Sequence, residues 1–241
     1  MWNRQVLKAN GKDNMKKNYW NSVLVAFIYS LFIGASGVSF SNTRSNLSEG
    51  ENSLNFDDPE TATIVMAVLA AMGIGLFIIS VLKVLVLNPL NVGCNRFFVV
   101  NQNQQAMVGE LSYAFKNDYV EALLAMLLSS FLIGLGFILI IPGIILTYSY
   151  RMVPYILAQE PHLGVVETLK RSRLMMQGNK WNAFVFDLSF IGWHLLSILT
   201  CGLLEIFFVA PYFHNANAAL YIAIRDEFDR RMGYGNVVDN Q

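Results

Sequence analysis

Long apolar segments alternate with short polar ones along this chain. The first runs from Tyr19 to about Phe40, opens on two aromatic residues and carries no charge. Because about 20 apolar residues suffice to cross the hydrocarbon core of a membrane, it predicts a transmembrane helix. A cleavable signal peptide is the alternative, but the preceding segment is long for one and no small-x-small cleavage site follows. We therefore expect an uncleaved span.

A second apolar segment begins near Thr61 and continues to Leu87, after which Pro89 bends or ends the helix. The 40 residues of 119–158 are too long for one helix and suit a hairpin of two. Its turn falls at 134–136 or at 142–143. We favour the first position, because it gives two more equal arms and makes Pro142 an internal kink.

The stretch from Asn182 to about Ile224 repeats this pattern, with a turn predicted at 200–202 and Pro211 inside the second arm. The sequence thus predicts an all-α fold, a polytopic membrane bundle of helical hairpins with short interfacial helices. The six predicted spans, in three hairpins, cover residues of about 19–40, 61–87, 117–133, 137–158, 182–200 and 203–224.

One proline lies in each even-numbered span or its tail: Pro89, Pro142 and Pro211. Two interpretations are open. The hairpins are stacked copies of one unit, a regularity that often frames transport sites. Alternatively, proline is simply common in transmembrane helices, where neighbouring groups satisfy the carbonyl that it frees.

Charge is distributed unevenly across the predicted spans. Residues 1–18 form a basic segment, whereas residues 41–60 form an acidic loop. The positive-inside rule then places the amino terminus in the cytoplasm, and six crossings return the tail of residues 225–241 to the same side. The basic residues between spans four and five agree with this orientation. They are Lys170, Arg171, Arg173 and Lys180.

Two cytoplasmic segments are typical of interfacial helices. Residues 2–17 mix apolar side chains with lysines, which suits a helix on anionic headgroups. Pro161 and Gly178 bracket a second helix. It is either a lipid-sensing or partner-docking element or a plain connector. Its predicted common face consists of Leu163, Val166, Leu169, Arg173 and Met176.

Composition supports the same class, since 54% of residues are hydrophobic and only 14% are charged. The formal net charge of zero gives no indication of nucleic-acid binding. The three histidines form no HExxH pair, and neither a Walker loop nor a nucleophile elbow occurs. We therefore expect no catalytic residue, no cofactor and no metal. The expected partners are the lipid bilayer and either another membrane protein or a second copy.

Ionisable groups within hydrocarbon are costly and are the first place to look for function. Arg151 and Asp187 are placed to form an ion pair between spans four and five. His194 and His214 are predicted at similar depth on antiparallel helices, with Asp187 two turns from His194 on the same face and Asn217 opposite. This polar group is either a proton relay or cavity, or a set of interhelical hydrogen bonds that specify packing.

Three strings resemble a bacterial family of uncharacterised integral membrane proteins, the DUF975 family. They read IPGIILTYSYRMVPYILAQEP from Ile141, SRLMMQGNKWNAFVFDLSFIGW from Ser172 and LTCGLLEIFFVAPY from Leu199. Leu204 departs from the pattern, which has a glycine soon after the position of Gly202. The resemblance implies a multi-span protein of the bacterial plasma membrane and supplies no catalytic residues.

We therefore expect a non-enzymatic membrane protein that acts through packing and lipid or partner contacts, as an accessory or stress-related factor. The alternative is a small transporter or channel that uses the kinked helices and the intramembrane polar group. An intramembrane enzyme would need convergent polar groups around a pocket. Nothing in the sequence names a substrate or an oligomeric state.

Overall fold

The computed structural model describes residues 2–32 and 59–232, and this part contains helices and no strand, as predicted. Most of the predicted acidic loop, and residues 233–241 of the tail, lie outside the described residues. The α-helices are α1 (Arg4–Lys17), α2 (Tyr19–Phe32), α3 (Pro59–Val100), α4 (Tyr113–Lys116), α5 (Tyr119–Gly136), α6 (Ile140–Ser149), α7 (Val153–Gln159), α8 (Val165–Met175), α9 (Lys180–Leu188), α10 (Ile191–Leu199) and α11 (Ala210–Met232). A 3₁₀ helix spans Val108–Ser112 and a π-helix spans Glu205–Val209.

Three helical segments are long and apolar enough to cross a membrane, by length and composition: Tyr119–Gly136, Ile140–Gln159 and Lys180–Leu199. They correspond to the predicted spans three, four and five. Shorter apolar segments occupy parts of the first two predicted spans and the end of α3. They are Tyr19–Phe32, Met66–Gly75 and Val84–Val100. A membrane location is therefore plausible on structural grounds.

The sixth predicted span corresponds to the π-helix and α11, which are at the centre of the packing. Helix α11 contacts α1, α2, α3 and α8. Its polar residues Asn215 and Asn217 are buried against protein, so they are bonded by neighbouring helices. Where α1 crosses it, a Cβ added to Gly11 would lie 2.6 Å from Cα of Ala216. Only glycine permits so close an approach.

The turn of the second hairpin, between α5 and α6, lies at Phe137–Leu139, directly after the glycine pair that favoured this position. The expected kink at Pro142 is wrong, because Pro142 is the third residue of α6. The first turn of a helix needs no intrahelical N–H donor, so proline fits there without bending it. The helix breaks instead at Tyr150–Met152, just before Pro154.

The turn of the third hairpin lies at Thr200–Gly202, where the sequence predicts it. Cys201 and Gly202 both have left-handed backbones, with φ of 52° and 84°. The preceding arm is not one continuous helix. It breaks at Ser189–Phe190, between α9 and α10, although neither proline nor glycine is present there to predict a break.

Pro89 and Pro211 each leave one backbone carbonyl without its usual helix donor. A tyrosine hydroxyl from another helix donates to each of these carbonyls. Pro89 cannot donate to the carbonyl of Leu85, and the hydroxyl of Tyr119 donates to that oxygen at 2.9 Å. Pro211 likewise frees the carbonyl of Phe207, to which Tyr19 donates at 2.9 Å. Each tyrosine is the first residue of its helix. Both bonds replace a helix hydrogen bond that proline removes.

This arrangement changes the interpretation of the prolines as a repeat. Pro154 and Pro211 are both followed by tyrosine and both lie at the second position of a helix that follows a break or a π-helix. Pro154 thus shares the local setting of Pro211, whereas Pro142, the third residue of α6, does not. The two interpretations of the prolines stay predictions.

The predicted helix between Pro161 and Gly178 is α8, but its buried face differs from the expected one. Thr168, Leu169, Ser172 and Met175 are buried, whereas Val166 is exposed. Gly164 and Gly178 flank the helix with positive φ values of 88° and 82°. The helix thus turns a mixed polar and apolar face to α5 and α7. The hydroxyl of Ser172 donates to the backbone carbonyl of Ser149, at the end of α6, at 2.8 Å.

Candidate functional site

The centre of the candidate site is the Arg151 cluster, which we define as Arg151, Asp187, Asn217 and Tyr148. The guanidinium of Arg151 donates to both carboxylate oxygens of Asp187, at 2.5 and 2.7 Å, and also to the side-chain oxygen of Asn217. The hydroxyl of Tyr148 donates to Asp187 at 3.0 Å. The predicted pairing of Arg151 with Asp187 is thus present, while Tyr148 was not foreseen.

Different elements position the members of this cluster. Arg151 lies in the break after α6, Asp187 is the second-last residue of α9, and Asn217 lies on α11. The side chain of Arg151 is 16% exposed and that of Asp187 is 28% exposed. The bidentate geometry is the strong form of this ion pair. The cluster therefore joins three helices through charges that satisfy one another.

His194 does not belong to the Arg151 cluster. The break at Ser189–Phe190 separates it from Asp187, so the expectation that both lie on one helical face is wrong. Its Nδ1 atom lies 3.1 Å from Oε2 of Glu205, and the hydroxyl of Ser197 donates to the same oxygen at 2.8 Å. Glu205 is the first residue of the π-helix. This second polar group is partly exposed.

His214 lies apart from both groups, in an aromatic environment. Its ring is stacked on Phe98 with 5.1 Å between centroids, and Tyr29 lies 4.3 Å away on the same measure. The ring of Phe213 contacts the rings of His194 and His214, with 5.8 Å between centroids in each pair. The structure thus divides the predicted polar group into three parts, and His214 serves as a packed aromatic side chain.

An amide network links the amino-terminal helices to α11, and sequence reasoning missed it. Asn101 donates to the side chain of Asn215 at 2.9 Å, and Asn215 donates to Ser22 at 3.3 Å. Asn14 donates to Gln102 at 2.8 Å. The only hint was the frequency of asparagine near helix ends. The network fixes α1 and α2 against the carboxyl end of α3.

Helix α1 carries a line of positive charge, the basic stripe, formed by Arg4, Lys8, Lys12 and Lys16. Their four-residue spacing places them along one side of the helix. Burial, with a smaller effect from Arg4, lowers the pKa of Lys8. Its amine donates to the carbonyl of Ser189 at 3.0 Å and lies 4.4 Å from the ring centroid of Phe190. The other three members are exposed.

Metal ligation and cofactor binding find no support in these groups. Within residues 2–32 and 59–232, no cluster of three or more His, Cys, Asp or Glu side chains could hold a metal ion. Asp187 in the Arg151 cluster and Glu205 beside His194 already bond to protein partners. These arrangements therefore link helices through hydrogen bonds and ion pairs.

A family comparison confirms the resemblance carried by the three strings. The family described as "Protein of unknown function (DUF975)" matches residues 12–227. The chain belongs to the DUF975 family. The matched region includes the Arg151 cluster, His194 with Glu205, and the part of α1 from Lys12 onward. Searches of the curated proteins and of the solved structures found no significant match.

Proposed function

We propose that this DUF975 protein is a non-enzymatic, six-span protein of the bacterial plasma membrane that binds anionic lipid headgroups through α1. Both termini lie in the cytoplasm in this proposal. The single observation that carries it is the basic stripe of α1, which lies beside the face of the helix that is buried against α11. Lipid contact through this helix would serve an accessory or stress-related role.

The exposed surface supports the membrane location. At the turn between α5 and α6, Ile138 is 77% exposed and Leu139 is 69% exposed. At the end of α10, Ile198 and Leu199 are 72% and 80% exposed. Soluble monomers rarely expose contiguous apolar surface of this kind. Lipid is an environment in which such exposed apolar side chains are stable.

The bonding of the polar groups supports a structural role for them. Each charged group of the Arg151 cluster is paired within the cluster, and the rings around His214 leave it packed between aromatic faces. A transporter needs polar groups that exchange partners along a path across the bilayer. Groups saturated by neighbouring helices favour the scaffold over that alternative.

The geometry of α1 supports lipid binding more specifically. Leu7, Gly11, Asn14 and Met15 form the buried face of the helix, so its orientation is fixed. Arg4, Lys12 and Lys16 then project from the bundle together. A lysine near an anionic surface contributes about 1 kcal/mol to binding, and the attraction is screened within a Debye length.

The test is the affinity of the purified full chain for phosphatidylglycerol, titrated in detergent and measured by native mass spectrometry. Lys12→Gln/Lys16→Gln should lower this affinity roughly thirtyfold, because two contributions of about 1 kcal/mol are lost. Affinity for phosphatidylcholine should be unchanged. Equal phosphatidylglycerol affinity of wild type and double variant would contradict the proposal.

Lys170→Gln is the matched control. This lysine is exposed on α8, but Oε2 of Glu167 lies 3.8 Å from its amine and offsets its charge locally. Its substitution should leave phosphatidylglycerol affinity within about twofold of wild type, since a weak exposed pair contributes little. A loss as large as that of the double variant would indicate nonspecific attraction by total charge.

A further inference from the structure

A polar cavity lies beside α1, on the flank opposite the basic stripe. Its volume is about 470 Å³, within the range of small-molecule pockets. We call it the amide cavity, because four of its lining side chains are carboxamides. It is lined by Leu7, Asn10, Asp13, Asn14, Lys17, Gln102, Asn103, Ala219, Ile222, Ala223 and Asp226.

Several polar side chains of the amide cavity can form further hydrogen bonds. Asn14 and Gln102 bond to each other. In the described part of the chain, the side chains of Asn10, Asp13, Lys17 and Asn103 have no hydrogen-bond or ion-pair partner. A ligand in the cavity would therefore replace water at these side chains without breaking a bond within the protein.

The charges around the cavity are of both signs. Asp13 supplies one carboxylate and Lys17 one ammonium, a helical turn apart, and the two form no ion pair with each other among the described residues. Asp226 also lines the cavity, but the guanidinium of Arg225 binds its Oδ1 at 2.9 Å. The charges left for a ligand are thus one negative and one positive. This combination matches a zwitterion.

We propose that the amide cavity binds the phosphoethanolamine headgroup of a membrane lipid. The primary ammonium donates to the carboxylate of Asp13, the phosphate accepts from the amine of Lys17, and the amides of Asn10 and Asn103 complete the set. This inference rests on the proposed function only in placing α1 at the lipid surface. The basic stripe serves anionic headgroups separately, because the two sets of residues occupy opposite flanks of one helix.

The chemistry of the lining distinguishes ethanolamine from choline. A primary ammonium has three N–H donors for carboxylate and amide oxygens, whereas a quaternary ammonium has none. Quaternary groups are recognised by aromatic faces, and the residues that line the cavity include no aromatic ring. The cavity should therefore prefer ethanolamine. The apolar residues Leu7, Ala219 and Ile222 provide a surface for the first carbons of the lipid.

Native mass spectrometry of the full chain in detergent tests the assignment with dilauroyl phosphatidylethanolamine and dilauroyl phosphatidylcholine. Wild type should bind the ethanolamine lipid about tenfold more tightly, as one charge-assisted hydrogen bond implies. Asp13→Asn should abolish that preference and leave choline-lipid affinity unchanged. Lys17→Gln should weaken both lipids, since both carry the phosphate. Equal binding of the two lipids by wild type, or an unchanged preference in Asp13→Asn, would overturn the proposal.

Two further measurements test whether the ligand is a lipid and whether the preference depends on the cavity. Glycerophosphoethanolamine, which lacks acyl chains, should displace the lipid only at concentrations at least tenfold higher; equal potency would overturn the assignment to a lipid. Lys12→Gln, on the opposite flank, should keep the ethanolamine preference. Asp13 is exposed and unpartnered, so Asp13→Asn should retain the helical circular dichroism of wild type.

Failure of this inference can be told apart from failure of the proposed function. If Lys12→Gln/Lys16→Gln loses phosphatidylglycerol affinity while Asp13→Asn keeps its ethanolamine preference, the basic stripe is supported and the cavity assignment is wrong. If Asp13→Asn loses the preference while the double variant binds phosphatidylglycerol like wild type, the cavity is supported and the role of the stripe is wrong.

Discussion

Removal of one partner from the Arg151 cluster should destabilise the protein strongly. In Asp187→Ala, the guanidinium of Arg151 loses both carboxylate bonds and, among the described residues, keeps Asn217 as its one hydrogen-bond partner. Since the side chain of Arg151 is only 16% exposed, water compensates little. Breaking a buried ion pair by removing one partner costs about 3–5 kcal/mol. We expect a loss of that size in the free energy of unfolding.

Replacement of both partners should cost far less. Substituting a buried ion pair by apolar side chains of similar volume is often neutral, so Arg151→Met/Asp187→Leu should lie within about 1.5 kcal/mol of wild type. The difference in stability between the single and double variants identifies the uncompensated charge of Arg151 as the cause of the destabilisation.

The assay is equilibrium unfolding of the purified protein in mixed micelles of increasing dodecyl sulfate fraction, followed by circular dichroism. Asp226→Asn serves as the control, because Asp226 pairs with Arg225 but its side chain is 52% exposed. Such pairs contribute between about 0 and 1 kcal/mol. If Asp187→Ala changes stability no more than Asp226→Asn does, the cluster is not a desolvated cross-link and the reasoning fails.

Three other substitutions test particular packing features, two by the same unfolding measurement and one by limited proteolysis. Tyr119→Phe should cost about 1 kcal/mol, because it leaves the carbonyl of Leu85 without its partner; no effect would mean that the carbonyl finds another donor. Gly11→Leu should separate α1 from α11, seen as faster proteolysis at α1 with the rest of the bundle intact; unchanged proteolysis would refute the close crossing. Gly202→Ala should cost roughly 1 kcal/mol because of its φ of 84°, whereas Gly192→Ala, with open space around the added Cβ, should not destabilise.

The sequence predicts the helical class and the hairpin turns well because both depend on local chemistry. An uninterrupted apolar stretch can form only helix in hydrocarbon. Gly202 marks the third turn through its positive φ of 84°. Gly136 precedes the second turn as the last residue of α5, where it allows the close approach of Gly143 on α6. The Arg151 to Asp187 contact is also foreseeable, since an unpaired charge in that setting would be too costly.

Tertiary contacts decide the features that the sequence does not predict. The break at Ser189–Phe190 carries no proline or glycine, and Phe190 packs there against Phe186 and Tyr212. That break turns His194 away from Asp187, so a periodicity argument across it fails. Likewise, a tyrosine hydroxyl and a proline-freed carbonyl meet only through helix packing, as Tyr119 and Leu85 do.

The central claim, a membrane protein with cytoplasmic termini and α1 at the inner surface, is tested most directly by cysteine labelling of intact cells. Cys94→Ala/Cys201→Ser provides a cysteine-free background, into which Ser45→Cys, Lys12→Cys or Asn240→Cys is introduced. A membrane-impermeant maleimide should label Ser45→Cys in intact cells, and the other two only after the membrane is opened. Labelling of Lys12→Cys in intact cells would contradict the account.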